Sequence, residues 1–525
     1  MAAEPYYVTT PIYYVNDVPH IGHAYTTLAC DALARFMRLD GRRVMFLTGT
    51  DEHGQKVEKA ADDLGISAQD LADRNSANFR DLAARMGYSN DDFIRTTEPR
   101  HIEAVQHLWR VLLERGEIYL GTYAGWYSVR DEAFFAESEL IKGADGKLLA
   151  PTGTGAEVEW VEEPSYFFRL SAWQDRLLEF YDAHPDFIAP HSRRNEVVSF
   201  VSGGLHDLSV SRTSFKWGVP VPNDPGHVMY VWLDALTNYL TAVGYPDTDS
   251  ETFRTFWPAD LHMVGKDILR FHAVYWPAFL LAAGIEPPKR VFAHGWWTNE
   301  GEKISKSLGN VIDPLTLVEE YGLDQVRYFL LREVPFGNDG DFSRSAMVQR
   351  VNGDLANGIG NLAQRTLTLI HRNCEGRVPD PDKGKIDGPD DIDLRLACGP
   401  SLLAKMRQDL EQQRFDIALQ EMMAAVAKAD VYITANEPWA LKKTDPARMA
   451  TVLYTLAEAI RSIAILAQPI MPDAAARLLD QLSVPEDARS FAHVEDQEIH
   501  WSLTPGTPLP KPEGVFPRLE DKAEA

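Results

Sequence analysis

The chain reads as an α/β protein built on a parallel sheet, followed by an all-α half. Three observations carry this reading. Short apolar runs of strand length alternate with helix-length amphipathic stretches over residues 1–114 and again over 216–295. Charged and glycine-bearing positions follow Val8, Leu47, Val264 and Ala293, at the carboxyl ends of those runs, where parallel sheets gather ligands. From about residue 346 onward the strand signal stops and apolar residues recur at helical spacing.

Taken in order, Tyr6–Val8 is the first strand. It leads through Thr10-Pro11-Ile12-Tyr13-Tyr14-Val15-Asn16 to a helix over Ala24–Leu39. Val44–Thr48 is the second strand and ends in Gly49-Thr50-Asp51-Glu52-His53-Gly54. Residues 115–215, rich in glycine and aromatics (Tyr119, Tyr123, Trp126, Tyr127), interrupt the alternation and read as an α+β insertion. Val228–Leu233 and Leu261–Val264 resume it as strands, Lys266–Leu281 as a helix and Val291–Ala293 as a third strand. In the last part, Leu419, Met422, Met423 and Val426, then Val452, Leu456, Ile460 and Ile463, mark helices with an apolar face. The proline-rich stretch Pro508 to Ala525 is expected to wrap the surface or fray. No internal repeat is visible.

Composition narrows the function classes. A length of 525 residues accommodates about three domains. No uninterrupted apolar run approaches the roughly 20 residues of a membrane span, and Met1-Ala2-Ala3-Glu4 has no secretory character, so no membrane partner is expected. Cys30, Cys374 and Cys398 are scattered without a Cys-x-x-Cys pair, which argues against a disulfide framework and for a reducing cytoplasm. The net charge of −25 repels polyanions, so any nucleic-acid partner must be met by local lysine and arginine patches.

Two distant segments carry the chemistry. His20-Ile21-Gly22-His23 stands where a loop enters a helix, and a helix start offers unpaired N–H groups and partial positive charge to phosphate. Lys303-Ile304-Ser305-Lys306-Ser307 is a doubly cationic loop ending in Leu308-Gly309-Asn310, and its lysines can act on phosphate oxygens as point charges. Alone, the first reads equally as two surface histidines beside a helix-start glycine, and the second as a solvated lysine turn. Found in this order, each between a strand-like and a helical run, they point to a nucleotide gripped from two sides.

The pair resembles the signature of the class I aminoacyl-tRNA synthetases, His-x-Gly-His and Lys-Met-Ser-Lys-Ser, with apolar Ile304 in place of the usual methionine. Within that class the chain resembles the methionyl-tRNA synthetase family over most of its length. The family's Tyr-Val-Trp-Leu-Asp-Ala signature stands at Tyr230 to Ala235. Its Gly-Lys-Asp-Ile signature stands at Gly265 to Ile268, followed by Phe271-His272 and Trp276-Pro277, and a further arginine match is Arg212. The resemblance implies a Rossmann-like parallel-sheet catalytic domain (1–114 and 216–295) split by a connective insertion (115–215). It implies a stem-contact region with the lysine loop (296–345) and a helical-bundle anticodon-binding domain (346–525).

It also implies residue roles. His20, Gly22, His23, Lys303 and Lys306 are the expected catalytic residues, and His20, His23, Gly265, Asp267, Lys303, Ser305 and Lys306 the expected ATP contacts. Ile12, Tyr14, Asp51, Trp232, Ala235, Leu236, Tyr239, Ile268, His272 and Trp276 are the expected methionine pocket, with Asp51 facing the ammonium group. Aromatic walls suit a thioether, since a sulfur–aromatic contact contributes about 0.3–1.5 kcal/mol. Without the resemblance the same aromatics read as core packing and His272 as a satisfied buried histidine. Asn361 and Arg365, from Asn361-Leu362-Ala363-Gln364-Arg365, and Trp439, from Asn436-Glu437-Pro438-Trp439, are the expected anticodon readers.

The implied reaction activates L-methionine with ATP and Mg2+ and transfers it to the 3′ end of initiator and elongator tRNA(Met). The insertion is too short for a separate editing hydrolase, so homocysteine is expected to be rejected by cyclisation in the synthetic site. Many members carry zinc in the insertion, but Ser128 and Asp131 stand where one cysteine pair would be and the second pair is absent around Ala150 to Gly153, so no structural zinc is expected. No dimerisation module follows the helical part, and a monomer is expected. A cysteine-specific enzyme is disfavoured by the same lack of zinc ligands, and the large aliphatic enzymes by insertion size. A small nucleotidylyltransferase needs no helical half, and a non-catalytic tRNA-binding paralogue needs no intact histidines and lysines.

Overall fold

The near-continuous burial of Tyr6, Tyr7, Val8 and Thr9 marks a strand covered on both faces, as parallel sheets require. The computed structural model describes residues 3–15, 18–128, 130, 133–135, 137–143, 146–151, 155–303, 311–381, 388–495 and 502–520. They divide into two compact units: a sheet unit of Pro5–Pro19 and Met45–Ala293, and a helix-rich unit of Met1–Glu4, His20–Val44 and His294–Ala525.

The strand Pro5–Thr9 lies inside a seven-stranded sheet ordered Ile188–Ala189, Val291–His294, Leu261–Gly265, Pro5–Thr9, Arg43–Asp51 and Tyr13–Tyr14. Asp92–Arg95 also pairs with Arg43–Asp51. The recorded pairings are parallel, with Val8 opposite Leu261, Leu47 opposite Asp92 and Tyr14 opposite Asp51. Gly49 permits the close approach of Asp92–Arg95, since a Cβ there would sit 2.1 Å from the Ile94 carbonyl oxygen. Leu108 and Trp109 of helix Pro99–Glu114 join Phe168, Trp276 and Phe279 in the core of this unit.

Residues 115–215 are mixed in structure. Ile118–Ser128 pairs antiparallel with Glu159–Phe168 over ten residues, and helices Gln174–Ala183 and His191–Ser202 follow. Ile188–Ala189, from within this stretch, pairs parallel with Val291–Phe292 and forms one edge of the main sheet. Two residues are too few for an alternation signal, so neither this strand nor the polar strand Asp92–Arg95 is visible as a hydrophobic run.

The expected strand over Val228–Leu233 is corrected. The strand is Asp224–Met229 and belongs to a small antiparallel sheet with Pro220–Val221 and Ser211–Arg212. Tyr230 is extended and caps the helix Val231–Leu236. Val231, Leu233, Asp234, Ala235 and Leu236 are all buried, and a short apolar run without alternation does not distinguish a strand from a buried helix. The expected helix over Lys266–Leu281 is three kinds of helix in succession. Lys266–Ile268 is a 3-10 turn, Phe271–Tyr275 a π turn and Trp276–Ala283 an α-helix closed by Gly284 at φ 75°.

Past residue 343 the helix-rich unit is helical. Pro389, Pro400, Pro438, Pro446 and Pro472 each open a helix, where the missing N–H costs nothing. Helix Pro446–Ala467 is long and apolar enough to cross a membrane, yet 94% of its most apolar window is buried in the protein. It also carries the Arg461–Glu458 ion pair at 2.8 Å, so it is a core helix. Residues 502–520 wrap this unit: Val378 N–H donates to Thr507 O and Leu509 N–H to Gly376 O, while Val515 and Phe516 are buried.

Arg327 is among the largest fully buried side chains of the described residues. Its side chain is fully buried and donates to Asp31 Oδ2 at 2.7 Å, to Ile470 O at 2.8 Å and to Pro469 O at 3.0 Å. Removing one partner of a buried ion pair costs about 3–5 kcal/mol because the other charge stays behind. Arg327→Met is therefore expected to lower unfolding free energy by about that amount in urea titration. A midpoint unchanged from the parent would contradict this accounting.

Candidate active site

Helix Ile21–Leu39 begins with an unusual cap. His20 Nδ1 accepts the N–H of Gly22 at 3.1 Å, and His23 Nδ1 accepts the N–H of His20 at 3.1 Å. The two rings stack with centroids 3.9 Å apart. A Cβ on Gly22 would come within 2.9 Å of His20 Cε1, so glycine here makes room for the capping ring. Burial first, and the neighbouring His20 ring second, hold His23 well below its ordinary pKa. With Nδ1 of each ring accepting, the proton of each neutral ring resides on Nε2, and that edge is a hydrogen-bond donor.

The second segment begins in the same unit. Glu302–Lys303 pairs antiparallel with Trp297–Asn299, while the side chain of Lys303 and all of Ile304 to Asn310, including Ser305 and Lys306, lie outside the described residues. The chain resumes at Val311, and the Ile312 carbonyl accepts the N–H of Ile21 at 3.1 Å. The helix start that bears the histidines is thus bonded directly to the segment that follows the lysine loop. Thr26, one turn along, meets His294 Nε2 at 2.7 Å.

The expected amino-acid pocket residues all belong to the sheet unit. Asp51, buried, ends strand Arg43–Asp51 opposite Tyr14, whose hydroxyl donates to the His53 carbonyl at 2.9 Å. Trp232, half-buried, stacks on Phe271 with centroids 3.3 Å apart and planes within 9°. Ala235 and Leu236 are buried on the same short helix, and Ile12 and Ile268 pack on the core from partly exposed positions. Tyr239 O–H lies 2.7 Å from His272 Nε2, and His272 Nδ1 lies 2.9 Å from the Ile268 carbonyl, which fixes Nδ1 as donor and Nε2 as acceptor. Trp276 is fully buried behind Tyr239, with centroids 6.1 Å apart. Gly265 precedes the 3-10 turn and Asp267 is exposed, its carboxylate folded over the Gly265 Cα. Arg212 is buried beside Glu163 and stacked on Tyr230, 3.9 Å from the ring centroid.

Two buried acids beside these positions lie inside the quoted motifs but were given no role there. Asp234 is fully buried and receives His53 Nδ1 at 2.6 Å and His101 Nε2 at 2.9 Å. Burial alone would raise its pKa, but the two histidines outweigh it and hold the carboxyl at about 2. Glu52, equally buried, accepts from Arg95 Nε at 2.7 Å and Nη2 at 3.0 Å and from Thr97 Oγ1 at 2.6 Å. For Asp234 the available signal was an acid inside an apolar run, since an unpaired carboxylate is seldom buried.

In the helix-rich unit, Asn361 is exposed on the first turn of helix Asn361–Asn373, and Arg365 Nη1 lies 3.5 Å from Asp430 Oδ1. Trp439 opens helix Pro438–Thr444 with 45% of its surface exposed. Among the described residues no cluster of three or more metal-ligating side chains occurs.

A family model described as tRNA synthetases class I (M) matches residues 6–367, and one described as the anticodon binding domain of methionyl tRNA ligase matches residues 388–525. The match over residues 6–367, with the parallel-sheet fold, makes the chain a class I aminoacyl-tRNA synthetase. The methionine--tRNA ligase of Mesorhizobium japonicum is 58% identical over all of both chains. That of Mycobacterium bovis is 56% identical over 98% of each. The solved structure of Mycobacterium tuberculosis methionyl-tRNA synthetase in complex with methionyl-adenylate matches with a TM-score of 0.94 at 55% identity, covering 98% of this chain and 100% of that one. The chain belongs to the methionyl-tRNA synthetase family.

His272 yields a pH prediction. Burial drives its pKa down from 6.5 to about 4, and the Ile268 carbonyl and Asp267 pull it back only in part. Between those two values the unfolded chain binds a proton that the folded chain does not, so stability falls as pH drops through that window. The group accounts for about 3 kcal/mol of that loss. Urea midpoints at pH 7.5 and pH 4.5 are expected to differ less for His272→Asn than for the parent; parallel losses would refute the assignment.

Proposed function

We propose that this chain, as a methionine--tRNA ligase, activates L-methionine with ATP to methionyl-adenylate and transfers the aminoacyl group to the 3′ end of tRNA(Met). The observation that carries the reading is the bond from Ile21 to Ile312, which joins the histidine-capped helix to the segment following the lysine loop. The adenylate bound in the M. tuberculosis relative supports the first half-reaction, and the anticodon-domain match over 388–525 supports tRNA as partner.

Displacement at phosphorus asks the protein for positioning and charge stabilisation, with little covalent chemistry of its own. ATP enters with Mg2+ as substrate. The Nε2 edges of His20 and His23 donate to phosphate oxygens as charge builds, and Lys303 and Lys306 hold the leaving pyrophosphate. Gly265, Asp267 and Ser305 complete the nucleotide contacts. Asp51 takes the methionine ammonium group. Tyr14, Trp232, Tyr239 and Trp276, with Ile12, Ala235, Leu236 and Ile268, enclose the side chain. A neutral His272 whose Nε2 is occupied by Tyr239 leaves that hydroxyl oxygen as an acceptor toward the pocket.

Asn361, Arg365 and Trp439 read the anticodon, and the exposure of Trp439 suits base stacking. One such stack is worth about 1–3 kcal/mol. We infer service to both initiator and elongator tRNA, action as a monomer and a zinc-free insertion, the last because Cys30, Cys374 and Cys398 all fall outside 115–215. Three scattered cysteines without a Cys-x-x-Cys pair suit a reducing cytoplasm.

Exchange of labelled pyrophosphate into ATP, run against each of the twenty amino acids, tests the reading: methionine alone is expected to support it. Lys306→Gln is expected to slow that exchange by roughly tenfold or more while methionine binding, followed by calorimetry, holds. Unimpaired exchange would refute the pyrophosphate role. Trp439→Ala is expected to weaken tRNA charging by about tenfold or more with exchange intact; equal loss in both assays would mean misfolding instead.

A further inference from the structure

Three of the stretches that line the proposed methionine pocket, those of Tyr14, Asp51 and Trp232–Tyr239, are touched by one polar chain that is buried over most of its length. Tyr14 O–H donates to the His53 carbonyl, and the His53 ring, two residues beyond Asp51, donates from Nδ1 to Asp234 Oδ2 at 2.6 Å. Asp234 stands between Trp232 and Ala235 plus Leu236 on helix Val231–Leu236. Its second oxygen receives His101 Nε2 at 2.9 Å, and His101 Nδ1 lies 3.1 Å from Thr241 Oγ1, two residues past Tyr239. With Nε2 donating to Asp234, His101 Nδ1 accepts from the Thr241 hydroxyl, whose alternative acceptor is the Thr237 carbonyl. His101 comes from helix Pro99–Glu114, is fully buried and is not among the pocket residues.

The bonds among His53, Asp234, His101 and Thr241 are buried, and the Tyr14 link is partly exposed. A shift of Asp234 toward either histidine would leave the other donor unsatisfied, at a cost that a buried network concentrates on its weakest member. The two carboxylate oxygens therefore fix the strand end that carries Asp51 and the helix that carries Trp232 at one separation. A pocket that must seat an ammonium group on one wall and a thioether on another needs that separation held to within a fraction of an ångström.

We propose that His101, acting through Asp234 and His53, is a positioning residue for methionine recognition: it sets the spacing between Asp51 and the Trp232–Tyr239 wall without touching substrate. The proposal rests on the methionine-activating reading above. ATP contacts lie outside the chain of bonds, so its loss should register in methionine and leave ATP alone.

The test uses the full-length protein in pyrophosphate exchange. His101→Leu removes the donor to Asp234 and is expected to raise KM for methionine at least tenfold, with KM for ATP within twofold. His101→Gln places an amide N–H where Nε2 stood and is expected to restore KM for methionine to within threefold of the parent. Should His101→Leu fail to fold by circular dichroism, Thr241→Val, which severs the outer end while keeping shape, is expected to raise KM for methionine about threefold with ATP again unaffected. A folded His101→Leu with an unchanged methionine KM overturns the proposal. So does an equal rise in both KM values, a failure of His101→Gln to rescue, or an unaltered methionine KM in Thr241→Val where that variant stands in. A parent protein with no methionine-dependent exchange would instead overturn the functional reading on which this one stands.

Discussion

Asp234 has no exposure to solvent, and a lone carboxylate so placed would cost several kcal/mol or give up its charge. Two imidazoles resolve the conflict, each donating to one oxygen. Because they come from a strand end and from a helix far along the chain, keeping the charge satisfied also keeps those elements in register. The aromatic residues on either side of Asp234 can then be held in place by packing alone. Glu52, one residue before His53, repeats the arrangement with Arg95 and Thr97. Rigidity on this side of the site comes from compensated charge as much as from the apolar core.

The helix-rich unit solves a similar problem differently. Asp31 lies on the helix that starts at His20, and it is met from one side by Arg35 at 2.9 Å and from the other by Arg327. Arg327 also reaches carbonyls just past the end of the core helix Pro446–Ala467. The middle of the histidine-capped helix is thereby tied to the packed centre of the bundle, while its first turn is tied to Ile312.

Much of this was legible in the residues. Tyr6–Val8, Val44–Thr48, Leu261–Val264 and Val291–Ala293 announced buried parallel strands by unbroken apolar runs, and all four are strands of the main sheet. Val228–Leu233 misled because six apolar-rich residues fit a strand and a buried helix equally well. Ile188–Ala189 was illegible because a two-residue edge strand is made by its partner rather than by its own pattern. The segment His20–His23 announced two histidines at a helix start, where they stand, while the methionine-pocket assignments are carried by the family resemblance. His101 did not stand out, and Asp234 did so only as a member of the Tyr230–Ala235 signature, because their meeting across 133 residues is recorded by no local pattern.

The histidine cap has one further implication. Serine or aspartate at position 20 would start helix Ile21–Leu39 at least as well, since either is a preferred capping residue. Helix formation therefore does not account for imidazole there. What distinguishes imidazole is that it satisfies the backbone with one nitrogen and carries a second on the same ring, which in the proposed reaction donates to phosphate. On that proposal, foldedness and turnover are separable traits at position 20, and a chain can lose the second while keeping the first intact.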